Sequence, residues 1–128
     1  MNHFSIFMLA TLVFSASSFA DGDHTPDVCS TADKEVCAHI GHMSGMKTKV
    51  EGKFLVHITA PKIENFKMDL WMPDHKHGTS PVTVTPKGKN KFEITKAEFS
   101  MPGKWHARLT FDSNKKPHAI EIPLDIKE

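Results

Sequence analysis

Two short clusters of histidine and methionine carry the side chains of this sequence that are best suited to chemistry. The first cluster lies in the segment 72–78, Met-Pro-Asp-His-Lys-His-Gly. Thioethers suit Cu(I), and imidazoles suit both oxidation states of copper. The alternative interpretation is that the proline and glycine of this segment shape a loop and the histidines are solvated. The candidate metal ligands are Met72, His75 and His77, with Met101 from a later turn.

The second cluster has the spacing H-x2-H-M-x2-M and gathers two imidazoles and two thioethers within eight residues. A flexible loop that contains glycine can wrap a soft ion with such side chains. The alternative is a loop whose methionines cover the edge of the folded domain, since methionine often fills irregular gaps. The spacing leaves open whether the two clusters form one site. The candidate ligands here are His39, His42, Met43 and Met46.

Cys29 and Cys37 are the only cysteines in the chain. In an oxidising compartment two cysteines usually pair. We therefore predict a Cys29–Cys37 disulfide that closes a loop of about nine residues. The alternative is a dithiol metal or redox site, for which the spacing C-x7-C is not a strong signal.

The first 20 residues have the layout of a secretory signal peptide. They contain no Lys, Arg, Asp or Glu, and residues 4–14 form an almost unbroken apolar run. Ser18-Phe19-Ala20 supplies small residues at the expected cleavage positions. The apolar run is about half the length that a membrane span requires, and no later segment approaches that length. We expect a periplasmic or secreted protein with no stable membrane insertion after cleavage.

Charge and motifs exclude two classes of function. The chain has 16 basic and 15 acidic residues, a net charge of +1, so it offers no basic field for nucleic acid. Neither G-x-S-x-G nor H-E-x-x-H occurs, and we do not expect an enzyme. Eight histidines follow residue 20, and four of them lie in the two clusters. The other four are expected to be ordinary surface residues: His24, His57, His106 and His118.

Alternation of apolar and polar residues dominates the chain after residue 50. Runs such as 54–58, 66–72 and 105–111 have period two, and Pro, Gly or Asn bounds each of them. This pattern indicates about seven short antiparallel strands. Their apolar faces are buried when two sheets pack together, so we predict an all-β, Ig-like antiparallel β-sandwich over residues 50–128. Residues 21–49 form a separate N-terminal segment with the cysteine pair and the second cluster.

The stretch from about residue 62 to residue 111 resembles the YtkA-like domain, which is related to the FixH-like group. Three features carry the resemblance: the segment 72–78 followed by Ser-Pro-Val at 80–82, the turn 87–91, and Phe-Ser-Met-Pro-Gly-Lys-Trp at 99–105. The resemblance implies an exported Ig-like sandwich. FixH-type relatives are tied to copper delivery for oxidase assembly, so it also implies copper handling. The ligands it implies are Met72, His75, His77 and Met101.

Two functions from different classes follow. The leading hypothesis is an exported carrier that binds copper and passes it to an acceptor protein of the cell envelope. The alternative is a non-metal interaction module that docks an envelope protein, for instance by strand addition at a sheet edge. In the alternative, the histidines and methionines of both clusters are purely structural.

Overall fold

The computed structural model describes residues 24–128, and the expected signal peptide of residues 1–20 lies outside them. The described part is built from strands in two antiparallel sheets, of order β1-β2-β3-β7-β6 and β5-β4-β8-β9. The expectation of an all-β antiparallel sandwich is confirmed. The strands are β1 (Val28–Cys29), β2 (Cys37–Ser44), β3 (Glu51–Thr59), β4 (Ile63–Met72), β5 (His77–Gly78), β6 (Thr83–Gly88), β7 (Lys91–Glu98), β8 (Gly103–Ser113) and β9 (Lys116–Ile126).

The core lies between the two sheets and follows from the period-two pattern. Successive side chains of a strand point to opposite faces, so every second residue of β3, β8 and β9 is buried. Trp105 is fully buried at the start of β8, and its ring packs edge-on against Phe99 at 5.3 Å between centroids. The other large fully buried side chains are Phe54, Ile40, Leu70, Ile94, Leu109, Ile122 and Val56.

Strand β2 is the main departure from the sequence-based expectation. The flexible loop expected at residues 39–46 is instead largely a strand, which pairs along its length with β3. The N-terminal segment is thus part of the five-stranded sheet, and Val36, Ala38 and Ile40 belong to the common core. The strand pattern was hidden because glycine and histidine occupy several outward positions of β2.

Strand β7 joins two apolar runs that the sequence suggests are separate. Ile94 and Ala97 are both buried although three residues apart, an odd spacing that strict alternation forbids. Lys96 between them has φ of 60°, a left-handed conformation that shifts the parity of the strand. One continuous strand therefore replaces two.

The Cys29–Cys37 disulfide is present, as predicted. The two cysteines are direct cross-strand partners in β1 and β2. Strand β9 contacts both β1 and β2, so it lies beside that edge of the five-stranded sheet. In the four-stranded sheet, β9 forms one edge and β5 forms the other. Because β9 lies next to β1, β5 lies on the far side of the sandwich from β1.

Candidate metal-binding sites

The first candidate site lies where β4 turns into β5. Met72 and His77 are cross-strand partners in the four-stranded sheet, so their side chains share one face, with Cβ atoms about 5 Å apart. That face is the interior: Met72 is only 2% exposed. The half-buried His77 ring packs edge-on against Trp105 at 5.4 Å between centroids. The strand register thus places a thioether beside an imidazole at one end of the sandwich.

His75 and Met101 lie next to this pair. His75 is exposed on the turn, with its ring centroid 6.0 Å from that of His77. Met101 is half-buried, and its carbonyl accepts a hydrogen bond from Nε1 of Trp105 at 3.0 Å. Trp105 is therefore a common neighbour of His77 and of the Met101 backbone.

Gly103 allows the chain to pass close to the buried thioether. Its φ is 130°, which side chains rarely adopt, and an added Cβ would lie 3.1 Å from Cε of Met72. The glycine of the Met-Pro-Gly turn is thus required by both backbone conformation and space.

The second candidate site is a group of four imidazoles on the outer face of the five-stranded sheet. The ring centroids form a closed quadrilateral with edges of 6.1 Å, 4.9 Å, 6.4 Å and 5.9 Å. The 4.9 Å edge joins His39 and His57, which are cross-strand partners with parallel rings. We call this group the four-histidine cluster. In order around the quadrilateral its members are His24, His39, His57 and His42.

An irregularity in β2 brings His42 onto the same face as His39. Strict alternation would place residues 39 and 42 on opposite faces. The register between β2 and β3 shifts between Gly41 and Ser44, and His42 has φ of 50°. A bulge of this kind re-aims a side chain at a cost in backbone strain. As a result, His42 is exposed on the outer face.

His24 reaches the cluster from a segment that precedes β1. It pairs with Gly41, and the Thr25 amide donates to the Ile40 carbonyl at 2.8 Å. The Ile40 amide donates in return to Oγ1 of Thr25 at 2.8 Å. Gly41 lies between His39 and His42 in the sequence, so this pairing holds His24 beside both histidines of β2.

Two charged residues, Asp27 and Lys91, lie beside the four-histidine cluster. Nδ1 of His39 lies 3.1 Å from Oδ1 of Asp27. Burial lowers the pKa of His57 from its ordinary value of 6.5, and repulsion by His39, by Lys91 and by the other two cluster histidines lowers this pKa further. His57 is therefore more strongly held in its neutral form than an isolated histidine.

Neither group is closed around an ion as it stands. Within residues 24–128, no three side chains of His, Cys, Asp or Glu converge closely enough to hold a metal ion. A bound imidazole nitrogen lies about 2 Å from its ion. For the quadrilateral, whose edges average about 5.8 Å, each ring must therefore move inward by about 1 Å to reach a common centre.

The two candidate sites lie apart. The β4–β5 turn is on the edge of the sandwich opposite β2 and the segment before β1, which together carry three of the four cluster histidines. Met43 and Met46, proposed as ligands beside His39 and His42, are partly buried and pack against the hydrophobic core. The structure therefore brings His39 and His42 together with two other histidines rather than with these methionines.

Sequence reasoning missed the roles of three histidines. His24 and His57 were expected to be ordinary surface residues, yet both belong to the four-histidine cluster. The sequence offered one indication of the cluster: the alternation of the strands places His57 of β3 and His39 of β2 on outward-facing positions. His118 is only 5% exposed, and its Nδ1 is 2.7 Å from Oγ of Ser30. His106 lies on the four-stranded sheet, where its side chain is 32% exposed and pairs with Glu121 of the neighbouring strand.

Comparison with known proteins supports the resemblance seen in the sequence. Among residues 24–128, no helix is long and apolar enough to cross a bilayer. Neither curated proteins nor solved structures gave a match to the chain. A family model described as YtkA-like matches residues 56–110, which contain the β4–β5 turn, Met101 and Trp105. This match covers less than half of the chain and agrees with the resemblance to the YtkA-like domain over residues 56–110.

Proposed function

We propose that this protein is an exported copper carrier of the cell envelope that holds Cu(I) at the β4–β5 turn. The cross-strand pairing of Met72 with His77 carries the proposal, since it sets a thioether and an imidazole side by side. His75 would supply a second imidazole and Met101 a second thioether. The copper ion is cargo that the protein passes to an acceptor of the envelope.

The donor set fits Cu(I) better than it fits other common ions. Thioether sulfur is a soft ligand that selects Cu(I), whereas Mg²⁺ and Ca²⁺ require oxygen ligands. Met72 is nearly buried, and His77 is held against Trp105. These two ligands would therefore be fixed by packing before the ion arrives, which reduces the entropic cost of binding.

Exchange requires that one side of the site is accessible. His75 is exposed on its turn. Met101 and Gly78 line a groove of about 740 Å³ at the same end of the sandwich. An acceptor protein with its own soft ligands could approach along this groove and displace the mobile ligands first. One buried ligand, two half-buried ligands and one exposed ligand suit a carrier that must release its cargo.

An anaerobic titration of the purified protein with Cu(I), in competition with a chromogenic chelator, tests the proposal. The variant is His75→Ala/His77→Ala, and its matched control is His106→Ala, which removes a histidine from the outer face of the same four-stranded sheet, where it pairs with Glu121. We expect the wild type and the control to withdraw Cu(I) equally. The double variant should bind Cu(I) at least about tenfold more weakly.

Three results would contradict the proposal. The wild type fails to compete with the chelator, the double variant competes as well as the control, or Met72→Leu leaves the affinity unchanged. Met72→Leu nearly conserves volume in the core, so it tests the thioether itself. Absence of Cu(I) binding by the wild type would favour the non-metal interaction module, with the motif acting only as a turn.

A further inference from the structure

The four-histidine cluster lies outside the proposed Cu(I) site and differs from it in chemistry. Its members come from β2, from β3 and from the segment before β1. Only His57 falls within the family match of residues 56–110. The cluster is thus built largely from the N-terminal part of the chain, which the YtkA-like domain does not include.

We propose that the four-histidine cluster is a second metal site, which binds a divalent transition-metal ion such as Zn²⁺ through imidazoles. The closed quadrilateral of rings carries this proposal. Two imidazoles that share an ion at about 2 Å have ring centroids about 4.5–6.3 Å apart, depending on the bond angle. Three of the four edges, from 4.9 Å to 6.1 Å, fall within this range, and the fourth, at 6.4 Å, lies just above it.

The chemistry of the ligands separates this site from the β4–β5 turn. The cluster offers imidazole nitrogen without thioether sulfur, a donor set that suits Zn²⁺, Ni²⁺ and Cu²⁺. Four nitrogen ligands complete a tetrahedral shell. Binding needs a modest inward rotation of side chains that are half-buried or exposed on an open sheet face, so no core residue has to move.

The carboxylate of Asp27 is placed as an outer partner of the site. Metal-binding histidines commonly donate their second ring N–H to a carboxylate, which fixes the tautomer and orients the ring. Oδ1 of Asp27 lies 3.1 Å from Nδ1 of His39, and a proton held at Nδ1 would leave Nε2 as the nitrogen that faces the ion.

The bulge in β2 decides on which face of the sheet the His42 ring lies. His42 takes φ of 50° at the bulge in β2, a conformation that costs energy in a residue other than glycine. A regular β2 would avoid this cost but would remove the His42 ring from the outer face. His39 and His57 also line a groove of about 840 Å³, which gives an ion a path to the cluster.

Titration of the purified full protein with Zn²⁺, against a chromogenic zinc chelator, tests the second site. The variants are His24→Gln, in the segment before β1, and His57→Gln, in β3; each removes one proposed ligand. The matched controls are His106→Gln, an exposed histidine that also has a carboxylate partner, and His75→Ala/His77→Ala. We expect each ligand variant to weaken Zn²⁺ binding by at least about tenfold, and Asp27→Asn by about tenfold. Both controls should bind as the wild type does.

Nuclear magnetic resonance of the wild type gives a readout that does not depend on how the variants fold. One equivalent of Zn²⁺ should shift the ring signals of the four cluster histidines together and leave those of His106 and His118 in place. The proposal is overturned if the wild type does not bind Zn²⁺, if the cluster signals do not move, or if His75→Ala/His77→Ala abolishes binding. The last result would assign the Zn²⁺ to the β4–β5 turn, so the second site would be refuted while the proposal of a metal site at that turn would stand.

Discussion

The Cys29–Cys37 disulfide fastens a very short edge strand, and its removal should have a measurable cost. Strand β1 has only two residues, and its cysteine is bonded directly to its cross-strand partner in β2. Closing a loop of about nine residues in the unfolded chain lowers its entropy by an amount worth about 2.5 kcal/mol at 25 °C. We expect Cys29→Ser/Cys37→Ser to lower the free energy of unfolding by this amount.

The corresponding change in melting temperature follows from the size of the domain. The entropy of unfolding is about 2.1 cal/mol/K per residue near 60 °C, or about 0.22 kcal/mol/K for a domain of about 105 residues. A loss of 2.5 kcal/mol, from the same loop-closure entropy, therefore lowers Tm by about 11 °C. Differential scanning calorimetry of the wild type and of the double serine variant measures this shift.

Reductant provides the control for this prediction. Excess reductant should lower the Tm of the wild type to that of Cys29→Ser/Cys37→Ser and should leave the variant unchanged. A fall of less than about 3 °C would refute the reasoning, because the loop-closure entropy could not then be the main contribution. Intact mass before and after reduction, which differs by about 2 Da when one disulfide opens, confirms the state of the cysteines.

Three further predictions concern stability. In metal-free buffer the pKa of His57 is lowered in the folded protein, so the unfolded chain binds a proton at this residue more readily and the free energy of unfolding should fall as pH drops below 6.5. Urea unfolding at pH 7.5 and at pH 5.5 measures this loss, which should be smaller in His57→Gln than in the wild type. Trp105→Ala should cost about 3–5 kcal/mol in urea unfolding, because its ring is fully buried. Arg108→Ala should cost about 1 kcal/mol or less in the same assay, because its bonds to Asp69 and its contact with Trp71 are exposed; a larger loss would contradict this.

The fold was largely predictable from local pattern. Alternation over residues such as 105–111 requires a strand with one buried face, and several such strands can bury their faces only by packing sheet on sheet. The pattern failed at Lys96 and at His42, where left-handed residues shift the parity. A bulge depends on pairing with a neighbouring strand, so it leaves little trace in the sequence of either strand.

The candidate sites were predictable only in part. Met72, His75 and His77 are close in sequence, and a turn between two strands brings them together whatever the rest of the fold does. His24 and His57 gave no such signal, because they are 33 positions apart in the chain. Only the antiparallel order of the N-terminal segment, β2 and β3 places them on one face.

The sequence by itself determined the chemistry available to this protein. It set the strand-forming alternation, the pairing of the two cysteines and the donor atoms at the β4–β5 turn, all of which depend on residue type and short spacing. Tertiary structure decided which histidines meet and which methionines are buried. Cross-strand register is a long-range property, since it depends on sheet order and on bulges, and it alone assembled the four-histidine cluster on the outer face.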